Sequence, residues 1–136
     1  SEKKDMSVRP VEKSGDNKYT ILIAEDIEAN YHLLEVVLGK QYVLYHANNG
    51  QEAVALFKRN HPDMILMDIK MPVMDGFEAT RQIRKLSKDV PIVALTAFAF
   101  EKEKQRAQEY QFNDYLVKPI NIVLLRRIVR EYLKDE

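Results

Sequence analysis

Three acids, one hydroxyl and one amine carry the chemistry legible in this sequence. Asp68 directly follows the unbroken apolar run Met64-Ile65-Leu66-Met67. Glu25 and Asp26 follow Ile21-Leu22-Ile23-Ala24, Thr96 follows Ile92-Val93-Ala94-Leu95, and Lys118 follows Tyr115-Leu116-Val117. Such runs suit strands buried on both faces of a parallel sheet. The polar residues that end them then share the carboxyl edge, where open α/β sheets bind ligands. Three carboxylates brought together repel one another, and a hard divalent cation relieves the repulsion. Mg²⁺ takes one or two carboxylates and completes its shell with waters and phosphate oxygens. The lysine adds a fixed positive charge and the threonine a donor, so the set forms a cage for a transferring phosphoryl group. The chain has no Cys, and no Ser-His arrangement is in view. The nucleophile in such a cage is therefore a carboxylate and its product an aspartyl phosphate.

The elements that must position these groups follow from pattern and punctuation. Strands are predicted over 19–24, 42–47, 64–68, 91–96 and 114–117. Helices are predicted over 28–38, 51–59, 76–86, 100–110 and 122–133. Gly39 stops the first helix, Asn48-Asn49-Gly50 turns the chain after the second strand, and Asn121 caps the last helix. In the first helix Asn30, Leu33, Leu34, Val37 and Leu38 read as the core stripe. The second packs Ala53, Val54 and Phe57, and the third Phe77, Thr80, Ile83 and Arg84. Leu125, Ile128, Val129 and Tyr132 do so in the last. Five alternating strand–helix units imply right-handed crossovers and an α/β fold. The expected sheet is five-stranded, parallel and doubly wound in the order 2-1-3-4-5, with five helices on its two faces, as in a flavodoxin-like fold. Strands 1 and 3 are then neighbours, which sets Glu25 and Asp26 beside Asp68.

Composition bounds the class. At 136 residues the chain is one domain, with 21 basic and 21 acidic side chains and a formal net charge of zero. Nothing in that balance attracts nucleic acid or an anionic membrane. No apolar run reaches membrane-spanning length and no signal pattern opens the sequence, so a cytoplasmic location is expected. Residues 1–18 are polar and aperiodic and read as a linker or cloning remnant, leaving 19–134 as the folded domain. Met64, Met67, Met71 and Met74 read as core filler. The three histidines, His32, His46 and His61, show no ligand spacing.

Four segments together carry a resemblance: Ile23-Ala24-Glu25-Asp26, Met67-Asp68-Ile69-Lys70-Met71-Pro72-Val73-Met74-Asp75-Gly76, Ala94-Leu95-Thr96-Ala97 and Asp114-Tyr115-Leu116-Val117-Lys118-Pro119. In this order and spacing they resemble the receiver domains of two-component response regulators, over about residues 18–133. The resemblance implies that Asp68 is the phosphoacceptor. It implies Asp26 and Asp68 as direct Mg²⁺ ligands with the backbone carbonyl of Lys70, and Glu25 as the acid that holds metal-bound water. Thr96 and Lys118 would bind phosphoryl oxygens, and Tyr115 would be the aromatic that swings inward when Thr96 moves. It also implies a cis peptide at Lys118-Pro119. One departure is visible: Tyr110-Gln111 stands where the family commonly has a small Ala-Gly pair.

Rival functions on the same fold differ in their loops. A flavin or nucleotide binder needs a Gly/Ser/Thr-rich phosphate loop after the first strand, and here that loop is Asp26-Ile27-Glu28. A haloacid-dehalogenase-type phosphatase needs a second acid two residues past the nucleophile, where this chain has Lys70. Within the resembled family, Ala24-Glu25-Asp26 with Asn30, and Leu95-Thr96-Ala97 with Ala99, look like receivers appended to hybrid sensor histidine kinases. A stand-alone regulator is the alternative. The partner implied is a histidine kinase or histidine phosphotransfer domain, with no direct nucleic-acid or membrane contact, and a weak or phosphorylation-dependent dimer stays open. At about 100° per residue, Ala29, His32 and Val36 fall opposite the core stripe of the first helix and form the expected docking patch.

Overall fold

The computed structural model describes residues 18–98 and 100–134. The linker expected over 1–18 thus lies, apart from Lys18, outside the described residues. The element order is β1(Thr20–Ala24), α1(Glu28–Leu38), β2(Val43–Ala47), α2(Gly50–Asn60), β3(Met64–Asp68), α3(Gly76–Leu86), β4(Ile92–Thr96), α4(Glu101–Glu109), β5(Asp114–Val117) and α5(Ile122–Leu133). The five strands form one sheet in the order β2-β1-β3-β4-β5, and every pairing is parallel.

β3 and β4 are buried at every position because helices cover both sheet faces. One apolar cluster joins Ile21, Ile23, Leu66 and Val93 to Leu34 and Leu38 of α1 and to Leu125 and Val129 of α5. The other joins Leu22, Ile65, Met67 and Ile92 to Phe57 of α2, Phe77 and Ile83 of α3 and Ala107 of α4. Each fully buried side chain of this size contributes about 1.5–3 kcal/mol against exposure. Met64 and Met67 have no exposed surface, and Met71 and Met74 pack against the second cluster.

The core stripe assigned to α1 needs one correction. Leu34, Val37 and Leu38 are buried, but Leu33 is 41% exposed. Leu33 lies about 100° from Leu34 around the helix, and the narrow buried face centred on Leu34, Val37 and Leu38 turns it outward.

Register fixes the carboxyl edge. Ala24 pairs with Met67, Asp68 with Leu95 and Thr96 with Val117. Glu25, Asp68, Thr96 and Lys118 therefore each sit within about a residue of the same line. The Lys118–Pro119 peptide is cis. Asp75 caps α3 by accepting from the Glu78 amide at 2.8 Å, and Asn121 caps α5 by accepting from the Leu124 amide at 3.0 Å. Gly76 has no room for a Cβ, which would collide with the Asp68 carbonyl oxygen. That close approach lets the Gly76 amide donate to Ile69 O at 2.8 Å and folds the loop back against β3.

The Tyr110-Gln111 departure is accommodated without a glycine. Gln111 takes φ 68° itself, a conformation that costs a non-glycine residue about 1–2 kcal/mol. The turn closes through Phe112 N to Ala107 O at 2.9 Å, and Tyr110 packs on Phe77 with ring centroids 5.1 Å apart. The Gln111 carbonyl accepts from Arg84 Nε at 2.9 Å. Arg84, although charged, is buried, and burial pulls its guanidinium below the usual arginine range. It also donates to Val90 O at 2.7 Å, Ser87 O at 3.3 Å and Asn113 Oδ1 at 2.8 Å. Asn113 Oδ1 in turn accepts from the Ile92 amide at 2.7 Å, so one cation ties α3 to the starts of β4 and β5.

Two stability outcomes follow. Arg84→Met should cost about 3 kcal/mol, because buried carbonyls lose charged donors, read as a lower denaturation midpoint at unchanged slope. Val73 is β-branched, 75% exposed and held at φ 69°. Val73→Asn should raise stability by about 1 kcal/mol, since Asn tolerates that region; a lower Tm for Val73→Asn would contradict the strain.

Candidate functional site

β1, β3 and β5 deliver a compact charged cluster. Asp68 is 4% exposed and Glu25 fully buried, while Asp26 is exposed. One oxygen from each of the three lies within 4.8 Å of the others. Lys118 Nζ reaches over from the end of β5 to Asp68 Oδ2 at 2.6 Å and Glu25 Oε1 at 3.0 Å. The second oxygens are held by backbone: Asp68 Oδ1 accepts from the Lys70 amide at 3.0 Å and Glu25 Oε2 from the Ile27 amide at 3.2 Å. Asp26 does not cap α1, whose N-cap position is Ile27.

The charges do not balance. Two buried carboxylates share one ammonium, and a third acid stands beside them. Burial, then the negative charge of Asp68, pushes the Glu25 carboxyl above its usual range. Burial alone would lower Lys118, but its contacts with the Asp68 and Glu25 carboxylates outweigh that and leave it raised. Glu25 Oε1 is buried and has charge compensation from Lys118 but no well-directed hydrogen bond. A cluster of hard oxygen donors with surplus negative charge fits a small divalent cation.

Thr96 is buried at the end of β4, where its hydroxyl donates to Phe98 O at 3.0 Å and accepts from the Phe98 amide at 3.1 Å. Phe98 stacks on Phe100 at 5.6 Å, and the Lys70 ammonium lies 5.9 Å from the Phe98 ring. The Lys70 backbone stays beside Asp68, its amide donating to Oδ1. Tyr115, paired with Ala94, is half-buried under α4, with Lys104 Nζ 5.6 Å from its ring centroid. Thr96, Tyr115, Ala107 and Ile69 line one small shared cavity.

Glu25, Asp26, Asp68, the Lys70 backbone, Thr96 and Lys118 are thus brought to one edge, with Tyr115 one layer behind. Ala29, His32 and Val36 are exposed on α1 beside it, Val36 at 61%. Leu33 shares this exposed face. His46 also belongs to the neighbourhood: its Nε2 lies 2.8 Å from the Glu25 carbonyl oxygen. A lone histidine with no ligand spacing gave no signal for this. The alternation of β2 does place it on the α1 side of the sheet, with Leu44.

The response regulator receiver domain family matches residues 21–130. The autoinducer 1 sensor kinase/phosphatase LuxN of Vibrio harveyi is 38% identical over 127 residues, which is 93% of this chain and 15% of LuxN. The chain thus spans about one seventh of that relative. The receiver domain of sensor histidine kinase PA1611 from Pseudomonas aeruginosa, solved with a magnesium ion coordinated in its active site cleft, superimposes with a TM-score of 0.81 at 36% identity. That match covers 87% of this chain and 99% of the other. A co-crystal structure of the Saccharomyces cerevisiae histidine phosphotransfer signaling protein Ypd1 and the receiver domain of its downstream response regulator Ssk1 matches with a TM-score of 0.80 at 35% identity. It covers 93% of this chain and 91% of that one. Among the described residues no helix is long and apolar enough to cross a membrane. Sheet order, charged edge and matched sequence agree: the chain belongs to the response regulator receiver domains of two-component signalling systems.

Proposed function

We propose that this receiver takes a phosphoryl group from a phosphohistidine onto Asp68, with Mg²⁺ bound at Glu25, Asp26, Asp68 and the Lys70 carbonyl. The observation that carries the reading is the 2.6 Å contact of Lys118 Nζ with Asp68 Oδ2, inside an acid cluster one ammonium cannot neutralise. The PA1611 receiver, with magnesium in the corresponding cleft, supports it.

In the transfer, a carboxylate oxygen of Asp68 attacks phosphorus. The new O–P bond forms as the P–N bond to the donor imidazole breaks, and that electron pair returns to the ring nitrogen. Lys118 holds Asp68 in register and offers its ammonium to the phosphoryl oxygens, and the Lys70 amide fixes the second Asp68 oxygen. Bound Mg²⁺ supplies the double positive charge that offsets the negative charge gathered around phosphorus. Thr96 exchanges its bond to the Phe98 backbone for one to a phosphoryl oxygen. That movement opens room beside Thr96, and Tyr115 turns toward it.

The parent chain is a hybrid sensor histidine kinase, a reading supported by the LuxN and PA1611 relationships. The stage is cytoplasmic and the donor a histidine kinase or histidine phosphotransfer domain, as the Ypd1–Ssk1 match suggests. Its docking surface is the exposed face of α1, formed by Ala29, His32 and Val36 with Leu33 between them. A solvent face of a helix is ordinarily charged, and this one is largely apolar next to the site.

With Mg²⁺ and acetyl phosphate, intact-mass measurement should detect one added phosphoryl group, absent in Asp68→Asn. Full modification persisting in Asp68→Asn would reject the assignment. Mg²⁺ at about 100 times its Kd should stabilise the protein by about 2.7 kcal/mol, read as a rise in Tm that Asp26→Asn diminishes. Val36→Glu should slow transfer from a phosphorylated histidine phosphotransfer protein by about tenfold, the ~1.4 kcal/mol of one central apolar contact. It should leave acetyl phosphate labelling unchanged; equal slowing with both donors would remove α1 as the docking face.

A further inference from the structure

We propose that His46 is a positioning residue for the Glu25–Asp26 acid pair: its Nε2–H fixes the peptide that aims both carboxylates at the cation site. The inference rests on the Mg²⁺ reading above.

β1 leaves the sheet at Glu25. Its amide still bonds Ala47 O at 3.0 Å, extending the β1–β2 pairing by one step beyond Ala24↔Ala47. Its carbonyl points back toward β2, where His46 Nε2 meets it at 2.8 Å. A carbonyl oxygen only accepts, so the proton must sit on Nε2. The ring is also held in place. Tyr31 of α1 stacks on it with centroids 3.6 Å apart and planes 6° from parallel. Tyr31 is itself anchored, its amide donating to Ile27 O at 3.0 Å in the first turn of α1.

The consequence falls on Asp26. The Glu25 carbonyl belongs to the peptide that leads into Asp26, so its orientation sets where the Asp26 side chain starts. No hydrogen bond or ion pair to the Asp26 carboxylate is found among the described residues. The backbone must therefore do the aiming. Glu25 is bound on its other side by the Ile27 amide to Oε2. Together these contacts clamp the Glu25–Asp26–Ile27 turn from the sheet edge and from the helix start. Outer contacts that orient metal ligands in this way are worth about 10–100-fold in metal affinity.

The test separates the hydrogen bond from the packing. His46→Phe keeps an aromatic ring against Tyr31 and removes the donor. His46→Gln places an amide N–H near the position of Nε2. Mg²⁺ Kd is measured by calorimetry on each variant, alongside Tm without metal. Expected is a Kd weakened about tenfold in His46→Phe and restored to within about threefold in His46→Gln, with little change in metal-free Tm. Tyr31→Leu, which keeps the donor but frees the ring, should weaken Kd to a lesser degree, and it serves if His46→Phe does not fold. Equal Kd in all variants would overturn the positioning role. So would a raised Kd together with a lowered Tm in both His46 variants, the mark of a packing role alone. If the parent protein itself shows no Mg²⁺ affinity, the metal reading fails and this inference with it.

Discussion

One electrostatic imbalance organises the functional end of this molecule. Glu25 and Asp68 are buried side by side, and the single ammonium of Lys118 bridges them. Burying a carboxylate is costly unless it is paired and hydrogen-bonded, and here each acid has one oxygen on the lysine and one on a backbone amide. Asp26 then adds charge with no further cation among the described residues to match it. The sheet edge is left with surplus negative charge, which fits a small divalent cation.

The scaffold makes that imbalance tolerable by being rigid below it. β1, β3 and β4 are covered on both faces, so the strand ends cannot drift apart to relieve repulsion. Strain is confined to the loops. Val73 and Gln111 both take positive φ, one in the loop after Asp68 and one before β5. Arg84 anchors the second of these through the Gln111 carbonyl and reaches Val90 and Asn113 as well. A cation buried far from the site thus holds the strand that carries Tyr115 and Lys118.

α1 serves two sides at once. Its inner face packs Leu34, Val37 and Leu38 on the sheet, and its outer face leaves Ala29, Leu33 and Val36 exposed. Its first turn also carries Tyr31, stacked on His46 against the end of β1. That exposed apolar face and the acid pair are therefore linked by one short helix, so their spacing does not depend on a flexible connection.

Much of this was legible in the sequence, and for a physical reason. Strands buried on both faces must be continuous apolar runs, so the first polar residue after each run marks the sheet edge. Asp68, Thr96 and Lys118 were found in that way, and the doubly wound order follows from the alternation of elements and the handedness of crossovers. The sequence also determined the helix cap at Asn121, because short polar side chains beside a helix start have few other uses. What only the tertiary structure decided was how far each face reaches and what long side chains touch. Leu33 fits a helical stripe, yet the buried face of α1 is too narrow to hold it. Arg84 falls on the inward stripe of its helix, but its partners appear only where carbonyls from two loops converge on it. His46 carries no spacing signal because its partners, Glu25 and Tyr31, come from other elements. Period and punctuation are local properties of a chain, whereas these contacts exist only where separate elements meet.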